Sequence, residues 1–164
     1  FVEIDISNNK EVLSESWDAG GYLTKIEQSS WNINVNGQEV PKYGFKLDWE
    51  YKGQKYRLEC GFNGIGKSII NTLASLTESS KPVTFSLYVS KGYPTVSIKY
   101  GGEKLSWKLS WEEQQKYIST QEFEGQTLKS DKGLQMKYYE EFIPHIQSVI
   151  AGEALATDSS DEAF

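Results

Sequence analysis

Lysines and aromatic rings are the residue types in this chain that could do chemistry, and they alternate along its middle. The interleaving covers residues 42–57 and resumes in residues 91–108. Phosphates require positive charge, and unpaired bases stack on aromatic faces for about 1–3 kcal/mol each. The pattern therefore predicts a surface for single-stranded nucleic acid. A purely structural explanation stays open beside it, because large rings are usually buried and lysines often only solvate strand faces.

A glycine-rich segment offers a rival chemistry. Residues 61–68 read Gly-Phe-Asn-Gly-Ile-Gly-Lys-Ser, which satisfies the P-loop pattern. In a P-loop, Lys67 would reach the phosphates of a nucleotide and Ser68 would hold Mg²⁺. A P-loop domain also needs parallel strands joined by crossover helices, whereas the segments that follow read as antiparallel hairpins and none ends in Asp. We therefore expect Lys67 and the amides of this helix start to contact a DNA phosphate instead, and keep an NTPase as the less favoured alternative.

The remaining reactive residue types do not form a catalytic set. The chain has one histidine, His145, and one cysteine, Cys60, which exclude a multi-histidine metal cluster and an intramolecular disulfide. Both residues are expected to be structural. Asp48 and Glu50 share a strand face with Lys46 and read as a solvated surface. We expect no enzyme activity, no metal and no cofactor. The compartment we expect is the cytoplasm, that of a host cell for a phage-encoded protein.

The net charge of −6 is unevenly distributed along the 164 residues. Residues 1–39 sum to −5, residues 40–110 to +6 and residues 111–164 to −7. Because the basic residues are concentrated in a module between acidic flanks, the negative net charge of the whole chain does not argue against DNA binding. No apolar run approaches the roughly 20 residues of a membrane span.

Alternating apolar and polar residues predict strands along the basic module. Period-two segments lie at 22–28, 31–35, 43–51, 56–62, 83–89 and 96–100, followed by a further candidate at 105–109. The pairs Asn36-Gly37, Lys52-Gly53 and Lys91-Gly92 predict tight hairpin turns. The period changes only at residues 68–79, where apolar spacing predicts a short amphipathic helix.

Three strands, a helix and two further strands follow the order of the OB fold. We therefore predict a mainly β chain with a five-stranded OB barrel in residues 1–110, whose helix links the third and fourth strands. Residues 111–150 are expected to form a helical extension that begins with a capping box at Ser110 and is interrupted at Pro144. Residues 151–164 are small and acidic and are expected to be disordered.

The last residues read Asp-Ser-Ser-Asp-Glu-Ala-Phe, an acidic run that stops on an aromatic ring. This end resembles the tail of bacterial and phage single-stranded-DNA-binding proteins, and Ala163 before the final Phe is closer to the phage type. The resemblance implies that Phe164 docks on partner enzymes of replication, recombination and repair, such as a polymerase, helicase, primase or nuclease. It further implies that Asp158, Asp161 and Glu162 meet basic residues around that pocket. A tethered acidic tail should also compete with DNA for the basic groove at low salt.

The favoured function is thus a non-enzymatic single-stranded-DNA-binding protein that coats DNA and recruits partners through its tail, with homo-oligomers possible. An oligosaccharide-binding β module is the main alternative, because tryptophan and tyrosine on a sheet also stack on sugars. The candidate DNA-contacting residues are Trp31, Lys46, Trp49, Tyr51, Lys55, Arg57, Tyr88, Tyr93, Lys99 and Trp107. Which of them line the groove depends on strand register, since a shift of one residue reverses every face.

Overall fold

A computed structural model describes residues 2–4 and 17–152 of the chain. The fold is mainly β, with a large antiparallel sheet of six strands, one parallel edge strand and several short helices. The sheet strands are β1 (Val2–Ile4), β2 (Trp17–Val35), β3 (Gln38–Tyr51), β4 (Gln54–Gly61), β5 (Val83–Ser90), β6 (Tyr93–Tyr100) and β7 (Glu103–Lys104). Their order across the sheet is β1-β4-β3-β2-β5-β6-β7, and β1 pairs with β4 in parallel.

Strand β2 joins the two halves of the sheet. Its first residues, 17–21, pair with β5, and residues 22–35 pair with β3. The change of partner falls at Gly20 and Gly21, where the backbones come close together. A Cβ on Gly20 would lie 2.1 Å from the Val83 carbonyl oxygen, and one on Gly21 would lie 2.3 Å from the Glu50 carbonyl oxygen. Only glycine therefore fits at this crossing.

The three predicted hairpin turns are confirmed. Asn36, Lys52 and Lys91 each adopt a positive φ of about 50° and are followed by glycines with φ near 80°. These are the angles of the two-residue turn whose twist matches that of paired strands. The structure adds a fourth turn of the same kind at Glu124-Gly125.

Helix α1 (Gly64–Leu73) begins and ends earlier than the predicted range of 68–79. Asn63 determines its start, because the Asn63 side chain accepts a hydrogen bond from the backbone N–H of Gly66 at 2.8 Å. Gly66 is required at that place, since a Cβ there would lie 1.9 Å from the Gly61 carbonyl oxygen. The helix buries Ile65, Ile69, Ile70 and Leu73 against the sheet.

The C-terminal extension begins as predicted and then departs from prediction. Helix α2 (Trp111–Gln115) has the expected capping box between Ser110 and Glu113. The polar stretch after it forms a separate hairpin of β8 (Ser119–Phe123) and β9 (Gln126–Ser130), all of whose strand residues are exposed. Apolar periodicity could not signal this hairpin, because it has no buried face.

The chain ends its described part with a helical run that packs along β2. It consists of α3 (Lys132–Lys137), a π-helical turn (Tyr138–Phe142) and α4 (Ile143–Ala151). Pro144 lies in the first turn of α4, so the predicted interruption is a new helix start. The Gln147 side chain accepts a hydrogen bond of 2.8 Å from the backbone N–H of Ile26, next to the bulge in β2. Helix α4 reaches Ala151, one residue into the predicted tail, and residues 153–164 lie outside the described part.

Two predicted features of the β module are corrected. Among the described residues no strand pairing joins the two edges of the sheet, so a closed five-stranded barrel is not found, and β1 lies on the outer edge of β4. Residues 105–109 form a loop instead of a strand. That loop is attached to α1 by Asn71, which is only 1% exposed. The Asn71 amide nitrogen donates to the Leu109 carbonyl at 2.9 Å, and the Leu109 N–H donates to the Asn71 side-chain oxygen at 2.8 Å.

We expect Asn71→Ala to lower the free energy of unfolding by about 1–3 kcal/mol, because it leaves the Leu109 N–H unpaired, whereas the Leu109 carbonyl keeps the hydrogen bond that the Gln114 side chain donates. Urea denaturation measures this loss. Asn32→Ala, at an exposed position of β2, is the matched control and should stay within about 0.5 kcal/mol of the wild type. Equal stability of the two variants would contradict the role of Asn71.

Candidate nucleic-acid interface

The sheet has a core face and an outer face, which the register separates. Phe45, Leu47 and Trp49 on β3 and Phe85 and Leu87 on β5 point to the core. The residues between them point outward, and this outer face continues from β4 across to β7. It has two parts with different charge.

The first part, on β2, β3 and β4, is charge-balanced. Its charged residues are Asp18, Lys25, Glu27, Lys42, Lys46, Asp48, Glu50, Lys55, Arg57 and Glu59, five cations and five carboxylates. Arg57 binds Asp48 through two hydrogen bonds, of 2.8 and 3.0 Å, and Asp48 is nearly buried beneath it. Hydrogen bonding to Asp48 raises the pKa of the Arg57 guanidinium. Lys46 lies 3.6 Å from Glu59, so two of the predicted cations of this part, Lys46 and Arg57, are held by neighbouring carboxylates.

The second part, on β5, β6 and β7, is cationic. We call it the β5–β7 face; its outward residues are Thr84, Ser86, Tyr88, Ser90, Tyr93, Thr95, Ser97, Lys99 and Lys104. Lys99 and Lys104 lie directly opposite each other on β6 and β7, and neither makes an ion pair within the described residues. The nearest acidic position in the register is Asp18 on β2, opposite Ser86. Glu103 pairs with Tyr100 and lies on the other face.

The predicted tyrosines and lysines of β5 and β6 are thus brought together. Tyr88 and Tyr93 lie on the β5–β7 face with Lys99, and Tyr93 is 74% exposed. Lys104 belongs with them; it lies in the interleaved stretch of residues 91–108 but was not among the candidate DNA-contacting residues. The Gly101-Gly102 turn after Tyr100 was the available signal, because a tight turn there returns the chain alongside β6.

The predicted rings on β3 are separated from the outer face. Trp49 is 2% exposed and stacks on Tyr56 with ring centres 5.8 Å apart, so its ring belongs to the core. The alternation that predicted the strand was right, but the ring falls on the apolar face of β3. Tyr51 shares the parity of Trp49 and is exposed because it lies at the strand end, where the Lys52 amine is 5.2 Å from its ring centre.

The other two predicted tryptophans lie outside the compact part of the sheet. Trp31 is 43% exposed on the β2–β3 hairpin beyond the end of β4. Trp107 is 48% exposed in the loop that Asn71 holds on α1, so it lies on no strand. The tail residues Asp158, Asp161, Glu162 and Phe164 lie outside the described residues.

The P-loop-like segment has structural roles in this geometry. A connection of two residues separates β4 from α1, and Asn63 caps the helix from within it. The Lys67 amine lies 2.6 Å from a carboxylate oxygen of Asp131, the residue before α3. Burial acts to raise the pKa of the Asp131 carboxyl, but the hydrogen bond and charge of Lys67, with a hydrogen bond from Gln135, outweigh it and lower that pKa. The pair therefore attaches the C-terminal extension to α1.

Of the remaining reactive groups, the Cys60 thiol is buried and the His145 imidazole contacts a backbone carbonyl. Burial of Cys60 raises the pKa of its thiol to about 12, which leaves it protonated and unreactive at neutral pH. His145 lies 3.2 Å from the Leu76 carbonyl oxygen. Within residues 2–4 and 17–152, no group of three or more His, Cys, Asp or Glu side chains is placed to hold a metal ion.

Comparison of the chain with known protein families, with curated proteins and with solved structures gave no match. Of the helices in the described part, none has the length and apolar character needed to span a membrane.

We expect Asp131→Asn to lower the free energy of unfolding at pH 7 by less than about 1 kcal/mol, because the ion pair is partly exposed. A carboxyl group whose pKa is lowered by folding stabilises the protein at pH values above its ordinary pKa, near 3.9. This stabilisation is lost as the pH falls through the lowered pKa. The difference between wild type and variant should therefore vanish in acid. Glu122→Gln, on exposed β8 and without an ion pair in the described residues, is the control in the same denaturation series. A difference that persists unchanged at pH 2 would exclude the ion pair as its cause.

Proposed function

We propose that the chain is a non-enzymatic single-stranded-DNA-binding protein whose contact surface is the outer face of the sheet. The observation that carries this proposal is the opposed pair Lys99 and Lys104 on the β5–β7 face. Like charges directly opposite each other destabilise a pair of strands. An anion between them removes that cost, and a nucleic-acid backbone supplies anions at regular spacing.

The surroundings of the lysine pair support a nucleic acid over a lone phosphate. Tyr88 and Tyr93 offer rings on the same face, and Thr84, Ser86 and Ser97 offer hydroxyls, whereas the Thr95 hydroxyl donates to the Tyr93 carbonyl. Rings stack on unpaired bases and hydroxyls donate to phosphate oxygens. The Lys91 turn at the end of the β5–β6 hairpin adds a further exposed cation without an ion pair in the described part.

The proposed interface differs from the set expected from sequence. It keeps Tyr88, Tyr93 and Lys99 at its centre, adds Lys104 and omits the buried Trp49. Lys46, Lys55 and Arg57 form a charge-balanced border, where phosphate binding must compete with Glu59 and Asp48. Trp31, Tyr51 and Trp107 are exposed rings at the margins.

We further propose that the five central strands are of the OB type. Their order, β4-β3-β2-β5-β6, with α1 between β4 and β5, supports this assignment. The bend of β2 at Gly20 and Gly21 supports it too, because glycine kinks of this kind turn sheets toward closure. The single cysteine, buried in β4, is in keeping with the reducing cytoplasm.

The acidic end of the chain is proposed to regulate this surface and to recruit partners. The resemblance of residues 158–164 to the tails of single-stranded-DNA-binding proteins supports two roles. Asp158, Asp161 and Glu162 would compete with DNA for the lysines of the β5–β7 face, and Phe164 would dock on enzymes of replication, recombination and repair.

Tryptophan fluorescence titrated with oligo-dT at two salt concentrations tests the function, and Lys99→Ala with Lys104→Ala tests the surface. We expect quenching that weakens with salt, and a salt slope reduced by about 0.7 for each lysine removed. Lys129→Ala, an exposed lysine of the separate β8–β9 hairpin, should leave the slope unchanged. No response to oligo-dT would reject the proposal, and a salt-independent response to an oligosaccharide would favour the sugar-binding alternative.

Deletion of residues 157–164 should raise the affinity for oligo-dT at low salt and have little effect at high salt, because screening already weakens the competing tail. Fluorescence anisotropy of a labelled oligonucleotide measures both conditions. Phe164→Ala keeps the acidic charges and serves as the matched variant: it should retain low-salt competition while losing partner binding. If the deletion leaves affinity unchanged and abolishes no partner contact, the tail has neither role.

A further inference from the structure

The end of the β2–β3 hairpin, which we call the arm, carries the tryptophan ring of Trp31 above a glycine of β4. We define the arm as residues 30–43, the part of the hairpin beyond the last pairing of β3 with β4, which joins Gly44 to Gly61. Neither glycine has a side chain, so the outer face is open there. Trp31 fills the opening: its ring atoms Cη2 and Cζ2 lie 3.2 and 3.6 Å from the place that a Cβ of Gly61 would take.

The ring is both supported and accessible. Its contact with Gly61 limits its motion from below, while 43% of the residue remains exposed. A ring that is already held in place loses little conformational freedom when a flat partner stacks on it. Gly61 is itself fixed from the other side, because its carbonyl oxygen lies against Gly66 at the start of α1. Two glycines of the P-loop-like segment, Gly61 and Gly66, thus support Trp31.

A cation stands directly across the hairpin from the ring. Lys42 pairs with Trp31 in the register, and directly opposed side chains begin about 4.5–5.5 Å apart. Lys42 is exposed and makes no ion pair within the described residues. The one carboxylate on β4, that of Glu59, is held by Lys46. A flat hydrophobic surface and an uncompensated positive charge therefore lie side by side.

We propose that Trp31 and Lys42 form a nucleotide subsite, in which Trp31 stacks on an unpaired base and Lys42 contacts its phosphate. This rests on the proposed function and extends it from the β5–β7 face to the arm. Gly61 is a positioning residue for the ring. The separation of roles is specific: the ring recognises the base, and the lysine recognises the charge.

The test compares two labelled oligonucleotides of equal length by fluorescence anisotropy, oligo-dT and the same backbone with abasic sites. Trp31→Ala should weaken binding of oligo-dT about tenfold, as expected for one lost stacking contact, and leave the abasic strand unchanged. Trp31→Phe should restore most of the loss. Lys42→Ala should weaken both strands equally and lower the salt slope.

Gly61→Ala tests the support. The added methyl group would lie 3.2 Å from Cη2 of Trp31, so the ring must shift by a few tenths of an ångström, and we expect oligo-dT to bind more weakly and the abasic strand to bind as before. Gly64→Ala is the matched control, because nothing lies within 4 Å of its Cβ position. Urea denaturation of each variant checks that the fold is retained.

The outcomes separate the subsite from the proposed function. If the wild type binds oligo-dT and Trp31→Ala lowers both strands equally or neither, the stacking subsite is overturned and the DNA-binding function stands. If the wild type binds neither strand, both fail. Loss of preference for oligo-dT in Trp31→Ala and Gly61→Ala, but not in Gly64→Ala, establishes the subsite.

Discussion

The architecture depends on one strand having two partners. Because β2 pairs with β5 through residues 17–21 and with β3 through residues 22–35, it lies between two three-stranded units, β1-β4-β3 and β5-β6-β7. The close backbone approaches at Gly20 and Gly21 allow this change of partner. Without it, the ring-bearing arm and the lysine-bearing β5–β7 face would belong to separate sheets. Their membership in one continuous outer face follows from two residues that have no side chain.

Local rules predicted the strands well and their faces less well. Alternation and the X-Gly turns placed β3, β4, β5 and β6 close to their observed bounds, because both signals act within a few residues. The same alternation could not say that Trp49 points inward, since that depends on which strands lie across the core. The β8–β9 hairpin and the Asn63 cap were missed for a related reason: one has no buried face, and the other is a single polar contact.

The distribution of charge on the folded surface was the property that the sequence predicted least well. A positive sum over residues 40–110 predicted a basic module. Cross-strand neighbours decide where this positive charge stays unpaired. Asp48 pairs with Arg57, and Glu59 pairs with Lys46. No carboxylate of the described residues pairs with Lys99 or Lys104. Two lysines, one on the short β7 edge and one on its neighbour β6, therefore carry positive charge without an ion pair in the described sheet, while Lys46 and Arg57 on β3 and β4 are paired. The register of the strands determines which charges on a surface lack a partner. A net charge summed along the chain contains no information about that register.

The β8–β9 hairpin is bounded by two attachments to the same helix. Before it, Leu109 is bound by Asn71 of α1, and after it Asp131 is bound by Lys67 of α1. Its own strands bury no residue. Chain length between such fixed points is tolerated easily, because loop-closure entropy grows only slowly with added residues. The Glu124-Gly125 turn is consequently a permissive place to insert a peptide tag, or a fluorescent domain, without disturbing the sheet.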